Sequence, residues 1–248
     1  VSFFTMPIAT TLFPLFSKLD YREGGTLRTV YQLSVKYVAI ITLPIVAGMI
    51  SLSDQIIKIV YPSGYQFASY FLTLYALNFL FIGLGSLGLG NLLNSQGKTN
   101  INFRGTLINV FLGIPLGVLL IPRYGVTGLL ISQLLTKAGL IYNLWWTWKN
   151  FGFSIDWISS IKIFLSAGSA TATVILILTN LELSYIVEFL VGGSILVAIY
   201  SIGIVILGVV DEGDISNLRK IVLGLGPLTP LFELLLNFLE SLIQVKSI

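Results

Sequence analysis

The residues with the clearest chemical potential are two lysines inside long apolar segments, Lys36 and Lys137. A cation near the centre of a bilayer costs about 2.5–3.5 kcal/mol on insertion scales, so it normally faces a partner or a water-filled cavity. Gln133 precedes Lys137 by one helical turn, and Gln32 precedes Lys36 by one turn. We therefore predict that these four residues bind a substrate.

Each lysine also has a structural interpretation that the sequence leaves open. Lys137 lies midway along its segment, where it could line a cavity or contact a backbone carbonyl or a carboxylate. Lys36 lies nearer the end of its segment, from which a lysine can extend to the membrane surface. The acidic residues all lie in loops, at segment ends or in the C-terminal region. Because cation exporters generally hold their ion on intramembrane carboxylates, this distribution favours an anionic substrate.

The composition excludes several classes of function. The chain has no histidine and no cysteine, so neither a Ser-His-Asp nor a Cys-His catalytic site can form, and thiolate metal sites are excluded. Only 10% of the residues are charged, the net charge is +3, and every connection between apolar segments is short. These features argue against an enzyme, a cofactor and a nucleic-acid partner.

One glycine motif has a literal match to a nucleotide-binding fingerprint. Gly83, Gly85 and Gly88 give the spacing GxGxxG. That fingerprint requires a preceding strand, a following helix and a distal acidic residue, whereas this motif lies within an apolar segment. Close helix packing or a flexible point in the segment is the favoured interpretation.

Six long apolar segments and one partial segment must position the two lysines. About 20 apolar residues at 1.5 Å per residue cross a hydrocarbon core of ~30 Å. The sequence therefore predicts an all-α integral membrane protein with six full transmembrane helices, preceded by a helix remnant at Val1–Phe16 whose start lies outside the chain. The six predicted spans are about Leu33–Ser53, some twenty residues from Phe71, Ile101–Ile121, Val126–Trp148, Ile161–Thr179 and Ile186–Val210.

The predicted span that carries Lys137 also has a face for packing. It follows a tight turn at Pro122–Gly125. Residues with small or short polar side chains recur along it every three or four positions, which places them on one helical stripe. We predict that this stripe contacts neighbouring helices. Its members are Gly125, Gly128, Ser132, Thr136, Gly139, Asn143 and Thr147.

Basic residues alternate between the connections and thereby orient the chain. The connections at Ser17–Arg28, 97–104 and 149–162, together with the tail, hold ten lysines and arginines, and the alternate connections hold two. Cytoplasmic loops carry the excess of lysine and arginine. We therefore predict a multi-pass protein of the cell membrane with a cytoplasmic C-terminus.

Three regions are predicted along the chain. Residues 1–148 form the core of a transmembrane bundle, residues 149–210 add two transmembrane helices, and residues 211–248 form a cytoplasmic amphipathic tail. Within the tail, the segment Leu228–Val245 has polar residues at helical spacing. This pattern favours a helix lying on the membrane surface, with a packed or spanning helix as the alternative.

Four short motifs, in order along the chain, resemble those of a transporter family. They are Phe13-Pro14-Leu15-Phe16-Ser17-Lys18-Leu19, the turn Ile59–Tyr65 after the Leu43-Pro44 span, the segment Asn91–Lys98, and Ile121–Gly128. By these motifs the chain resembles the C-terminal half of the polysaccharide transport family. These are the O-antigen-type flippases of the multidrug/oligosaccharidyl-lipid/polysaccharide flippase superfamily.

The resemblance implies a transporter of two helical bundles around a central cavity, of which this chain supplies the second. Such a protein flips a lipid-linked oligosaccharide across the cytoplasmic membrane by alternating access, for polysaccharide or glycan export. Its partners are the anionic glycan lipid, the bilayer and the N-terminal half of the transporter, which is missing here. The pyrophosphate would meet Lys36 and Lys137. Arg28, Lys98 and Arg104 would attract it at the cytoplasmic mouth, although topological anchoring explains these three equally well.

Two other functions are retained as alternatives. One is a multidrug or cation antiporter of the same superfamily, which an intramembrane carboxylate in the missing half would favour. The other is a membrane scaffold subunit that transports nothing.

Overall fold

A computed structural model of the chain describes residues 12–22, 25–61, 65, 67–181, 183–223 and 229–246. The first eleven residues of the predicted helix remnant and the centre of the predicted turn, 62–64, lie outside these ranges. Residues 12–17 are helical, and every regular element in the described ranges is a helix. The α-helices are α1 (Thr26–Ser51), α2 (Ser53–Val60), α3 (Ala68–Leu77), α4 (Ser86–Ser95), α5 (Thr99–Leu135), α6 (Ala138–Phe151), α7 (Trp157–Leu178), α8 (Tyr185–Ile206), α9 (Glu212–Leu223) and α10 (Thr229–Lys246), with a 3₁₀ helix at Asn78–Leu84.

Several of these helices are long and apolar enough to cross a membrane. Within the described ranges four segments qualify: α1, the segment Thr99–Phe151, α7 and α8. A fifth is the bent pair Ala68–Leu84 and Ser86–Ser95, whose two parts meet at 46°. The chain is therefore a multi-pass membrane protein whose described part is all-helical.

The segment Thr99–Phe151 reverses direction at Gly125. This residue has φ 56° and ψ −130°, a conformation that favours glycine. A Cβ atom added at Gly128 would meet the carbonyl oxygen of Leu120, and one added at Gly113 would lie 3.3 Å from the Thr136 side chain. Residues so far apart along a straight helix could not touch. The segment is therefore a helical hairpin, with arms 99–121 and 126–151 joined at the predicted turn.

The predicted stripe of small residues forms the contact between the two arms. Gly128, Ser132, Gly139, Asn143 and Thr147 are all buried. A Cβ atom at Gly139 would collide with the carbonyl oxygen of Gly105, so the two backbones meet at this point. Small residues permit such close approach between membrane helices, and the predicted packing face is confirmed.

α1 lies against α7 and α8, and a proline shapes the contact. Pro44 lies inside α1 and has no N–H group, so the carbonyl of Ile40, one turn earlier, loses its helical donor. The hydroxyl of Tyr200 on α8 donates a hydrogen bond to this carbonyl at 2.9 Å. An unpaired carbonyl in the bilayer costs several kcal/mol, and Tyr200 removes that cost while joining the two helices.

The C-terminal helices pack against the same core. Leu236 and Leu239 of α10 are 3% and 0% exposed, and they belong to one hydrophobic cluster with residues of α1, α7, α8 and α9. Asn237, on the polar stripe of α10, is exposed. The described part of the predicted tail helix therefore packs on the bundle through its apolar face, which is the alternative interpretation of this segment.

Asp156 begins α7 as its N-cap. Its carboxylate accepts hydrogen bonds from the N–H groups of Ile158 and Ser159 at 3.1 and 3.2 Å, and from the Ser159 hydroxyl at 2.6 Å. Burial would raise the pKa of Asp156, but the hydrogen bonds from Ser159 and Ile158 outweigh it and hold the pKa below its ordinary value. The cap is therefore ionised at neutral pH.

The contact at Gly139 gives a direct test of the hairpin. Gly139→Ala places a methyl group against the Gly105 backbone, and overpacking of this kind costs about 1–3 kcal/mol. We expect a lower thermal unfolding midpoint for the purified chain in detergent. Gly168→Ala is the matched control, because a Cβ atom there meets nothing within 4 Å. An equal or higher midpoint for the Gly139 variant would contradict the close approach of the arms.

Candidate functional site

An open cavity of about 490 Å³ lies between the hairpin arms and the bent segment formed by α3, the 3₁₀ helix and α4. We call it the hairpin cavity. Two of the predicted substrate-binding residues, Gln133 and Lys137, line it together. The described residues that form its wall include amide, hydroxyl and ammonium groups and no carboxylate. They are Tyr75, Asn78, Phe79, Ile82, Ser86, Leu87, Asn109, Gln133, Thr136 and Lys137.

The second arm of the hairpin is broken at Lys137, where the sequence predicts one continuous helix. Thr136 (φ −84°, ψ 44°) and Lys137 (φ −104°, ψ 11°) leave the helical conformation, and Lys137 becomes the N-cap residue of α6. Neither position is a glycine or a proline. The sequence therefore contains no local signal that would predict this break.

A side chain on the opposite arm satisfies the broken backbone. The N–H of Gly139, in the first turn of α6, has no carbonyl one turn earlier to bond. The Asn109 Oδ1 atom accepts this hydrogen bond at 2.8 Å. Since an N–H without a partner is costly within a bilayer, Asn109 stabilises the break and fixes the start of α6 beside the cavity.

The bent segment on the other side of the cavity is interrupted as well. The 3₁₀ helix ends at Gly85, whose φ of 79° is accessible to glycine, and α4 begins at Ser86. A Cβ atom at Gly83 would lie 2.8 Å from the ring of Phe164. The glycines of the GxGxxG match thus serve a chain break and close helix packing, as predicted.

The two breaks give the hairpin cavity a positive character. Ser86, in the first turn of α4, and Lys137, at the start of α6, both line it. The N-terminus of a helix carries roughly half a positive charge, and backbone N–H groups at that end point toward an anion. The Lys137 ammonium lies 5.6 Å from the centroid of the Phe81 ring. The described residues form two ion pairs, Lys36–Asp214 and Arg219–Glu240, and Lys137 belongs to neither.

The walls of the cavity also provide neutral groups for hydrogen bonding. The Oδ1 atom of Asn78 is buried and has no hydrogen-bond partner. Gln133 lies one turn before Lys137 on the same wall. Together these groups can hold an anion while bonding its polar substituents. In the part of the chain that the structure describes, no three acidic side chains gather where a metal ion could bind.

Lys36 lies apart from the hairpin cavity, in a polar cluster with α9. Its Nζ atom lies 2.6 Å from Asp214 Oδ2, and the two side chains are 15% and 6% exposed. The hydroxyl of Tyr37 donates to Asp214 Oδ1 at 2.9 Å, and the Asn217 amide donates to that hydroxyl at 3.0 Å. Lys36 therefore joins α1 to the C-terminal helices in this conformation.

The other predicted residues are also dispersed. The Gln32 amide donates to the Ser154 carbonyl at 2.9 Å. Arg28 and Arg104 are exposed, and Lys98 lies in the loop between α4 and α5. Of the seven, Lys137 and Gln133 line the hairpin cavity, and the other five do not.

Sequence reasoning missed two residues of the site, Asn78 and Asn109. Both are single amides within apolar runs, Leu77-Asn78-Phe79 and Ile108-Asn109-Val110. An amide in a membrane helix usually bonds another helix or a ligand, so this signal was present in the sequence.

Comparison with known proteins gives one family match. The model of the family described as Lipid II flippase MurJ matches residues 1–201. No solved structure matches the chain.

Two curated relatives are archaeal. The chain is 27% identical over 136 residues to the probable low-salt glycan biosynthesis flippase Agl15 of Haloferax volcanii, which covers 54% of this chain and 29% of the relative. It is 23% identical over 224 residues to the uncharacterized membrane protein MJ1068 of Methanocaldococcus jannaschii, covering 88% and 43% respectively. The chain thus spans less than half the length of either relative.

The burial of the cluster around Lys36 predicts that its ion pair stabilises the fold more than an exposed ion pair does. Lys36→Ala leaves the Asp214 carboxylate buried without its cation, which costs about 3 kcal/mol or more. Arg219→Ala is the matched control, because it removes an ion pair to Glu240 whose side chains are 39% and 44% exposed, and such pairs contribute about 0–1 kcal/mol. We expect a much larger fall in the thermal unfolding midpoint for Lys36→Ala. Equal falls would show that the Lys36 pair is not structural.

Proposed function

The chain belongs to the MurJ family of lipid II flippases, and from this we propose that it forms part of a transporter that flips a lipid-linked glycan across the cell membrane. Members of this family are transporters rather than enzymes. The family and the relative named as a glycan flippase support a lipid-linked glycan as the substrate class. The O-antigen type within this class stays a prediction.

The observation that carries the proposal is the position of Lys137. It is the N-cap residue of a half-helix in the middle of a predicted span, on the wall of the hairpin cavity, and a second half-helix begins across that cavity. In membrane transporters, half-helix N-termini near the bilayer centre point at anionic groups of the substrate. We propose that Lys137, with Gln133 and Asn109, contacts the phosphate-bearing headgroup while the lipid tail stays in the bilayer.

The charge of the cavity favours this function over cation antiport. Cation carriers generally hold their ion on carboxylates within the membrane, and the described wall of the hairpin cavity has none. Lys36 and Gln32 are proposed to reach the substrate in another conformation, after Asp214 and Ser154 release them. Arg28, Lys98 and Arg104 are proposed to attract the headgroup at the cytoplasmic mouth.

The open cavity also supports the proposal that another part of the transporter covers this surface. Of the 18 most apolar consecutive residues in the segment Thr99–Phe151, 6% are buried. The cavity that contains Lys137 is open as well. A charged, polar surface at this depth cannot face lipid without cost. We propose that the N-terminal half of the transporter covers it and completes a two-bundle architecture around a central cavity.

We further propose that the chain crosses the membrane six times and ends in the cytoplasm. A rod of 53 residues would be about 80 Å long at 1.5 Å per residue, far more than a ~30 Å hydrocarbon core. The reversal at Gly125 divides this segment into two crossings. With α1, the bent pair, α7 and α8, this gives six, and the alternation of basic loops supports the orientation.

The role of Lys137 can be tested with two ligands that differ in the presence of a diphosphate group. We expect Lys137→Ala, made in the full-length transporter, to weaken binding of a polyprenyl diphosphate about tenfold to a hundredfold, because a hydrogen bond to a charged group contributes about 1.5–3 kcal/mol. Binding of the uncharged polyprenol should not change, and Lys137→Arg should restore much of the diphosphate binding. Native mass spectrometry measures each affinity.

Lys149→Ala, at an exposed position on the same helix, is the control for that experiment. In a strain depleted of its own flippase, the wild type should restore surface glycan, and Lys137→Ala should leave the lipid-linked precursor inside. Export of a cationic dye with the precursor still trapped would contradict the proposal and favour the antiporter. Unchanged surface glycan in Lys137→Ala would contradict the role of this lysine.

The proposed topology can be tested by thiol labelling of this chain, which has no cysteine, so that each introduced thiol is the single one in it. Arg123→Cys and Thr179→Cys should react with an impermeant maleimide added outside intact cells. Asn150→Cys and Glu212→Cys should react only after the membrane is opened. Labelling of Arg123→Cys and Asn150→Cys from the same side would exclude two crossings in the hairpin.

A further inference from the structure

A second cavity, of about 450 Å³, lies at the other end of the molecule from the Gly125 turn, between the loop after residues 12–17 and the loop after α4. We call it the loop pocket. It combines two of the basic connections that the sequence predicts to be cytoplasmic. Its described lining is mostly polar and comprises Ser17, Lys18, Leu19, Asp20, Tyr21, Arg22, Ser95, Gln96 and Lys98.

Gln96 fixes the two loops against each other. Its Nε2 atom donates hydrogen bonds to the carbonyls of Phe16 and Leu19 at 2.9 and 2.8 Å, and its Oε1 atom accepts one from the N–H of Tyr21 at 3.3 Å. The Tyr21 ring stacks on Phe151 of α6 with 4.5 Å between centroids. The Gln96 amide and the stacking of Tyr21 on Phe151 thus fix the shape of the loop pocket.

The loop pocket carries an excess of positive charge. Lys18, Arg22 and Lys98 line it against one carboxylate, Asp20, which accepts a hydrogen bond from the backbone N–H of Arg22 at 2.9 Å. None of the three cations takes part in an ion pair of the described residues. A hydrogen bond to the Tyr21 hydroxyl raises the pKa of Arg22 above its ordinary value, so this group stays charged. Lys98 is also the N-cap residue of α5, whose N-terminus attracts anions.

The surroundings of the loop pocket place it at the level of lipid headgroups. Phe13 and Leu15, just before its first lysine, are 45% and 44% exposed, which leaves an apolar surface beside the cations. Trp145 and Trp148, near the end of α6 that carries Phe151, are exposed as well. Exposed tryptophans of this kind mark the boundary between hydrocarbon and headgroups.

We propose that the loop pocket binds the phosphate headgroup of an acidic phospholipid, whose acyl chains lie over Phe13 and Leu15. Basic pockets beside membrane helices bind anionic headgroups on the cytoplasmic side. Both loops that form the pocket belong to the predicted cytoplasmic set. The bound lipid would brace residues 12–22 against α4 and α5, a role separate from the attraction of the substrate headgroup that is proposed above for Lys98.

The test measures lipid binding to the purified chain in detergent by native mass spectrometry. The probes are phosphatidylglycerol, phosphatidylcholine of the same chain length, and inorganic phosphate. We expect tighter binding of phosphatidylglycerol than of phosphatidylcholine. We expect Lys18→Gln/Lys98→Gln to weaken phosphatidylglycerol binding about 25-fold, since each basic residue near an anionic membrane surface contributes about fivefold. Lys149→Gln/Lys162→Gln removes the same charge elsewhere and should change this affinity less than threefold.

A second variant separates geometry from charge. Gln96→Ala keeps all three cations but releases the loops, so it should also weaken phosphatidylglycerol binding, with little effect on phosphatidylcholine. Equal affinity for the two lipids, or equal losses in the two double variants, would overturn the proposal. Inorganic phosphate that binds as tightly as phosphatidylglycerol and displaces it would identify a site for free phosphate instead. Because no transport is measured, failure here leaves the proposed flippase function standing.

Discussion

Inside a bilayer each backbone N–H and C=O group needs a partner within the protein, and two interruptions of this chain are built around that requirement. Pro44 removes the donor for the Ile40 carbonyl, and Tyr200 replaces it from another helix. The break before α6 exposes the Gly139 N–H, and Asn109 accepts its hydrogen bond. In each case the side chain that bonds the unpaired backbone group lies on another helix. Each interruption of a helix is therefore also a contact between two helices.

The hydrogen bond between the Gly139 N–H and Asn109 depends on the glycines of the hairpin. Asn109 has a short side chain, so it can reach Gly139 only if the two arms approach to backbone contact. Gly105 and Gly139 permit this approach, because neither carries a side chain at the contact. The same geometry places Lys137 at the wall of the hairpin cavity. Close packing, the helix break and the position of the cation are therefore consequences of one arrangement.

Much of the fold could be predicted from the sequence because membrane constraints act on local patterns. Apolar length predicted long membrane helices, of which four or five qualify in the described ranges. The Pro122–Gly125 turn predicted the reversal, and the small-residue stripe predicted the packing face. The helix break at Lys137 could not be predicted, since neither it nor Thr136 interrupts a helix by its own chemistry. The partner of Lys36 was equally hidden, because Asp214 lies 178 residues away and only the folded chain brings the two together.

That separation of Lys36 from Asp214 has a consequence for synthesis. A ribosome adds roughly 5–20 residues per second, so about 10–35 s pass between the emergence of Lys36 and that of Asp214. During this interval α1 enters the membrane with its ammonium group lacking the carboxylate that later pairs with it. The long side chain can place its charge at the interface meanwhile. The ion pair therefore forms as a late step of assembly, when the C-terminal helices dock onto a bundle that is already inserted.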